Sequence, residues 1–330
     1  MKYISFADMA RTVVSNLYKV SQDIDLVVGI PRSGLLAGNL IALSLNVPII
    51  DLEGFIHNRR TRNGFTRDTK TKVSLPQEAK HVLIVDDISR SEVSSAAIKN
   101  DIISTAIKQK ITFCTIYTYQ YHAGKADIYF QKLSSPTIFE WNIMNSNSLE
   151  NCCIDIDGVL CRDPIPSEND DGPAYLRFLK NAKPLSLPSS RVGYLVTNRL
   201  EKYRPQTEEW LKRNHILYKQ LHMLDLPDSN MRRQLNNYAG FKAQVYKSYL
   251  QSPLFIESDL KQALEITKAS GKTVLCFADK KLYDSDVIKS LFYNGQANTL
   301  SLIFNNIKIV ASRLLHSGHQ IKKPVRNLFS

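Results

Sequence analysis

The sequence predicts an α/β protein of two parallel-sheet domains followed by a helical C-terminal extension. Two observations carry this prediction. Apolar runs ending in loops alternate with helical patterns from Asp25 onward, which is the signature of parallel β-α-β units. At 330 residues, and at about 150 residues per domain, the chain has room for two cores. With 43% hydrophobic and 22% charged residues the composition is that of an ordinary folded protein, neither disordered nor fibrous.

The first clear strand is Asp25-Leu26-Val27-Val28-Gly29-Ile30, followed by Pro31-Arg32-Ser33-Gly34 and a helical stretch through Leu45. Val47-Pro48-Ile49-Ile50-Asp51 reads as a second strand. The basic segment that follows, with Arg59, Arg60, Arg62, Arg67, Lys70 and Lys72 against a lone Asp68, has no apolar periodicity and reads as a mobile loop. His81-Val82-Leu83-Ile84-Val85 ends in Asp86-Asp87, and a Ser-rich turn leads to a helix starting near Ser94. Further strands are expected over 111–119 and 127–131, and Asn145-Ser146-Asn147-Ser148 is the expected linker. The pattern then restarts: Cys152-Cys153-Ile154-Asp155, Val192-Gly193-Tyr194-Leu195-Val196-Thr197 and Leu254-Phe255-Ile256-Glu257 each end a strand in a polar or acidic residue. No strand is expected past Phe277, and 297–315 reads as an amphipathic helix. The domains expected are therefore 1–147 and 148–282, both Rossmann-like in their alternation, with a basic helical extension over 283–330.

No run reaches the roughly 18 uncharged apolar residues of a membrane-spanning helix, and the N-terminus lacks a signal-peptide core, so a cytoplasmic protein is expected. Five cysteines without CxxC pairs read as reduced core thiols. Forty-three Lys and Arg against 31 Asp and Glu give a net charge of +12, which favours anionic partners. No helix-turn-helix, zinc or RNA-recognition signature accompanies that charge, so nucleic acid is not an expected partner.

In an open α/β sheet, ligands bind outside the carboxyl ends of the strands. There, backbone N–H groups of the loop at Arg32, Ser33 and Gly34 suit a pyrophosphate, with Arg32 adding charge. The carboxylates of Asp86 and Asp87 suit ribose hydroxyls, and the turn carrying Ser89, Ser91 and Ser94 suits a 5-phosphate. These residues resemble the type I phosphoribosyltransferases over roughly 21–131, which implies binding of phosphoribosyl pyrophosphate (PRPP). Ser91-Glu92-Val93-Ser94 departs from that family's Thr-Gly-Gly-Thr turn. The basic segment stands where the family carries its flexible catalytic loop.

The second half carries Asp155-Ile156-Asp157-Gly158-Val159-Leu160, Thr197 at a strand end, Lys242, and Glu257-Ser258-Asp259. In this order they resemble the four motifs of the haloacid dehalogenase superfamily. The resemblance implies Asp155 as nucleophile, Asp157 as general acid and base, Thr197 and Lys242 as partners of the phosphate, and Mg²⁺ held by Asp155, Asp157, Asp259 and Glu257, with Asp259 favoured over Glu257 as the direct ligand. Clustered carboxylates beside a phosphate call for such a cation. The intervals between motifs are too short for a large cap domain.

Together the two sites resemble bacterial polysaccharide ribofuranosylating systems. That implies transfer of 5-phosphoribosyl from PRPP to a glycan acceptor, lipid-linked in such systems, followed by removal of the phosphate. Two alternatives stay open: a nucleobase-salvage transferase with a fused phosphatase, for which Tyr119, Tyr121 and Tyr129 offer stacking surfaces, and a regulatory PRPP-binding module fused to an active phosphatase. The basic C-terminus, with Lys308, Arg313, Lys322, Lys323 and Arg326, suits peripheral contact with an anionic membrane.

Overall fold

The computed structural model describes residues 1–61, 68–89, 109–120, 126–134 and 136–293. The chain divides into two compact units, Met1–Ser146 and Asn147–Ser330, and the protein is α/β in both.

In the first unit, β1 (Lys2–Ile4) leads into α1 (Phe6–Asn16). Ser5 caps this helix by a reciprocal pair of bonds with Asp8. Then follow β2 (Leu26–Gly29), α2 (Ser33–Leu45), β3 (Ile49–Asp51), α3 (Leu52–Ile56), β4 (His81–Ser89), β5 (Lys110–Tyr119), β6 (Ile128–Leu133) and β7 (Thr137–Phe139). The main sheet has the order β3-β2-β4-β5-β6 with every pairing parallel, and β1 pairs with β7 separately.

A parallel sheet is buried on both faces, so its strands read as continuous apolar runs. Val27, Leu83 and Val85 pack on one face with Met9, Val13 and Ile41 from α1 and α2. Leu26, Val28, Val82 and Ile84 pack on the other with Phe55, Val73 and Ala79. Asn46, in the left-handed conformation at φ 56°, ends α2.

The second unit holds β8 (Cys153–Ile154), α4 (Pro173–Asn181), β9 (Val192–Leu200), α5 (Arg204–Arg213), β10 (Tyr218–Leu224), α6 (Ser229–Leu235), α7 (Tyr238–Ser248), β11 (Phe255–Glu257), α8 (Leu260–Ser270), β12 (Val274–Cys276), β13 (Lys281–Tyr283) and α9 (Ser285–Tyr293). The sheet order is β10-β9-β8-β11-β12-β13, parallel except for the β12–β13 pair. The two-residue β8 is central, which sets Asp155 one residue past its pairings with Leu195 of β9 and Ile256 of β11, at the carboxyl end of β11.

One expectation is corrected. A strand does exist past Phe277: β13 forms a three-residue antiparallel edge, reached by a turn in which Lys280 adopts φ 58° and Asp279 accepts from the Lys281 amide. A strand this short has no periodicity to read. Of the span 283–330, the described part past β13 is the helix α9, in which Ile288 is buried. The helices expected near Ser94 and over 297–315, and the basic residues of the C-terminus, lie outside the described residues.

All five cysteines are buried and unbonded to one another. Burial pushes the thiols of Cys114, Cys152, Cys153 and Cys276 up to about 12, away from reactive thiolates. No helix among the described residues is long and apolar enough to cross a membrane.

Candidate functional site

In the first unit, the loop after β2 and the carboxyl half of β4 touch. The Ile30 amide donates to the Val85 carbonyl at 2.9 Å. Gly34 lies so close that a Cβ there would stand 2.7 Å from the Val85 oxygen and 3.0 Å from the Asp86 Cα. Only glycine allows this approach, which brings the start of α2 beside Asp86. Arg32 is exposed at the N-cap of that helix, Ser33 is half-buried and Gly34 is buried.

The acidic pair does not converge. Consecutive residues of a strand point to opposite faces, and β4 continues through Ser89, paired with Thr118, instead of ending at Asp87. Asp87 shares the face of Leu83 and Val85. It is 3% exposed, and its Oδ2 accepts from the Trp141 indole N–H at 2.8 Å. Trp141 in turn packs against Phe139 and Phe6. Asp86 is half-buried and its Oδ1 accepts from the Asp87 amide.

Ser89 ends the strand with a buried hydroxyl that finds no partner among the described residues. Ser91 and Ser94 lie outside those residues, as do Arg62, Arg67 and Tyr121. The described ends of the basic segment are held: Arg59 pairs with Glu53 at 3.0 Å, and the Lys70 ammonium donates to the Gln22 carbonyl. Tyr119 packs against the core, and Tyr129 lies beneath the ammonium groups of Lys19 and Lys132.

In the second unit, strand ends bring the motifs to one place. The Lys242 ammonium, on α7, donates to Asp155 Oδ2 at 2.6 Å, Glu257 Oε2 at 2.7 Å and Gln262 Oε1 at 3.0 Å. Burial opposes its charge, but the two carboxylates hold it above the ordinary lysine range. Burial pushes the Asp155 carboxyl well above its usual range, with the Lys242 ammonium opposing and Glu257 and Asp157 adding to the rise. Asp155 Oδ1 accepts from the Ile156 amide. Gly158, at φ 76°, makes the turn behind Asp157, where a Cβ would collide with Ser258.

Asp155, Asp157, Thr197, Lys242 and Asp259 line one cavity of about 410 Å³. Glu257 lies beneath it with no exposure, its Oε1 accepting from the Ser258 and Asp259 amides. Of the two acidic residues in this motif, Asp259 therefore lines the cavity and Glu257 braces Lys242. Asp259 also caps α8 through the Gln262 amide.

Sequence reasoning missed the remaining wall. Arg199 is fully buried and grips Asp157 with two bonds, Nε to Oδ2 at 3.0 Å and Nη2 to Oδ1 at 2.7 Å. It stands two residues after Thr197 on β9, and so on the same face, a spacing that could have singled it out. Asp163, partly open to solvent, has its carboxyl pushed up to about 6 by lost solvation and by Asp157 and Glu257. Tyr175, Asn169, Asn198 and Arg232 also line the wall. Arg232 follows β10, a strand with no clear signal, so nothing in the sequence pointed to it.

No group of three acidic, His or Cys side chains is arranged to cage a metal among the described residues. The donor set of Asp155 and Asp259 fits Mg²⁺ all the same, since that ion keeps several waters and takes one or two carboxylates together with phosphate oxygens.

No family model and no curated protein matches this chain. Among solved structures it is similar to the Helicobacter pylori xanthine-guanine-hypoxanthine phosphoribosyltransferase, at TM-score 0.34 and 15% identity, covering 43% of this chain and 92% of that one. It is also similar to a purine phosphoribosyltransferase from Pyrococcus horikoshii, at TM-score 0.31 and 16% identity, covering 42% and 92%. A Staphylococcus aureus hypoxanthine phosphoribosyltransferase matches at TM-score 0.27 and 14% identity, covering 39% and 74%.

Proposed function

We propose that the chain is a bifunctional enzyme that transfers 5-phosphoribosyl from PRPP to a glycan acceptor and then removes the 5-phosphate, leaving ribofuranose. The observation that carries this reading is the Lys242 ammonium bridging Asp155 and Glu257 at the floor of a cavity lined by Asp157, Thr197 and Asp259. In the first step the C1–O bond to pyrophosphate breaks as an acceptor hydroxyl forms the glycosidic bond and gives up its proton to the departing pyrophosphate. The loop at Arg32, Ser33 and Gly34 would hold the pyrophosphate and Asp86 a ribose hydroxyl, and the contact of Gly34 with Asp86 supports one shared site. Asp87 would act from beneath, through Trp141.

In the second step Asp155 attacks phosphorus, and the ester P–O bond breaks as an Asp–phosphate bond forms. Asp157 protonates the leaving oxygen and then takes a proton from the water that hydrolyses the acyl phosphate. Arg199 fixes the Asp157 carboxylate at the cavity wall; Oδ1 also accepts from the Cys161 thiol, which leaves Oδ2 the oxygen with a further lone pair. Mg²⁺ held by Asp155 and Asp259 would neutralise phosphate charge. Lys242, pinned by its carboxylates, orients Asp155.

The test is Asp155→Asn, which keeps the shape and removes the nucleophile. With PRPP, Mg²⁺ and glycan acceptors, mass spectrometry should find the ribosylated glycan accumulating with its phosphate attached, while wild type releases it. Unphosphorylated product at the wild-type rate from the variant would refute the role of this site. A nucleotide formed from a free base would move the assignment to salvage.

A further inference from the structure

The cavity of the second unit holds three buried cations, and two of them are satisfied by carboxylates. Arg199 is closed on Asp157, and Lys242 on Asp155 and Glu257. Arg232 is different. It is 9% exposed, and among the described residues its contacts are with neutral oxygens: Nη1 donates to the Asn198 carbonyl and Nη2 to Asn169 Oδ1, both at 3.1 Å, and the Tyr175 hydroxyl lies beside it. Its Nε finds no partner among the described residues.

A buried charge without a counter-charge is costly unless a ligand supplies one. The two carbonyl contacts fix the plane of the guanidinium beside Asn198, the neighbour of Thr197. The segments that carry it are also held: Asp171 accepts from the Ser229 amide at the start of α6, from Lys202 and from the Tyr203 hydroxyl. This is a preorganised fork of donors next to the phosphatase residues, suited to bidentate binding of an oxyanion.

We propose that Arg232 binds the substrate phosphate in this cavity, adding a positive charge that no carboxylate among the described residues already neutralises, beside the paired Lys242 and Arg199. The proposal rests on the phosphatase reading for its chemistry. Its binding half stands apart from turnover, because a phosphate dianion is recognised whether or not an ester is cleaved.

The experiment measures binding of inorganic phosphate to the full chain by calorimetry with Mg²⁺, alongside hydrolysis of p-nitrophenyl phosphate, for wild type, Arg232→Gln and Arg232→Lys. Phosphate bound elsewhere on the chain contributes equally to all three. Arg232→Gln should lose at least tenfold in phosphate affinity and raise KM by a similar factor, with a smaller change in kcat. Arg232→Lys keeps the charge but not the fork. It should lose about threefold, and it decides the matter should the Gln variant fail to fold. If wild type cleaves no ester but the variants still lose phosphate affinity, the anion site stands and the phosphatase reading falls. Wild-type phosphate affinity in a folded variant, or no phosphate binding by wild type, overturns the role of Arg232.

Discussion

Arg199 and Asp157 form the kind of buried pair whose worth lies in its completeness. The Arg199 side chain has no exposure and that of Asp157 is 17% exposed, so each desolvated charge depends on the other. Removing one partner of such a pair costs about 3–5 kcal/mol, whereas replacing both with neutral groups costs far less. Arg199→Met should therefore lower stability by that amount in urea unfolding, and adding Asp157→Asn to the same chain should recover most of it. A double variant no more stable than the single one would mean that Arg199 acts by filling space between Thr207 and Cys161, its other polar neighbours.

At the level of elements, the contact of α2 with β4 positions the proposed PRPP loop. It depends on Gly34 having no side chain, because the atom a Cβ would meet is a backbone oxygen that cannot rotate away. Gly34→Ala should thus push the start of α2 off the sheet, costing about 1–3 kcal/mol and weakening PRPP binding together with it. A thermal melt coupled to PRPP titration checks both. Unchanged affinity in a destabilised variant would separate the loop from the ligand. In the second unit the equivalent device is β8: it is only two residues long, yet it lies between β9 and β11, so a strand that ends in the middle of the sheet places Asp155 against Lys242.

On the scale of the whole molecule, each unit has its own sheet and its own apolar core, and substitutions without shared partners act independently. Asp86→Asn should weaken PRPP binding about tenfold with little effect on melting. Asp87→Ala strips the Trp141 indole of an acceptor and should lower stability by about 1–3 kcal/mol. Hydrolysis of a small phosphate ester should be unchanged in both. Equal loss of both activities in a folded variant would count against separate sites.

The sequence by itself determined the alternation of strands and helices, and it singled out Asp155 and Asp259 because residues just past the carboxyl ends of parallel strands share one rim whatever the details of packing; Thr197, which lies inside β9 and not at its end, and Lys242, on α7, were singled out by the order of the motifs alone. It also located Gly34 and Asp86. It did not distinguish Asp86 from Asp87, and it favoured Asp259 over Glu257 without a packing reason for the choice. Those differences are set by which side of a strand faces Trp141 and which carboxylate lies under Lys242, and both depend on elements far away in the chain. Arg232 belongs to the same class. Its burial, and its lack of a carboxylate partner among the described residues, exist only once α6 folds over the wall of the cavity, so tertiary structure alone made it a candidate for the phosphate.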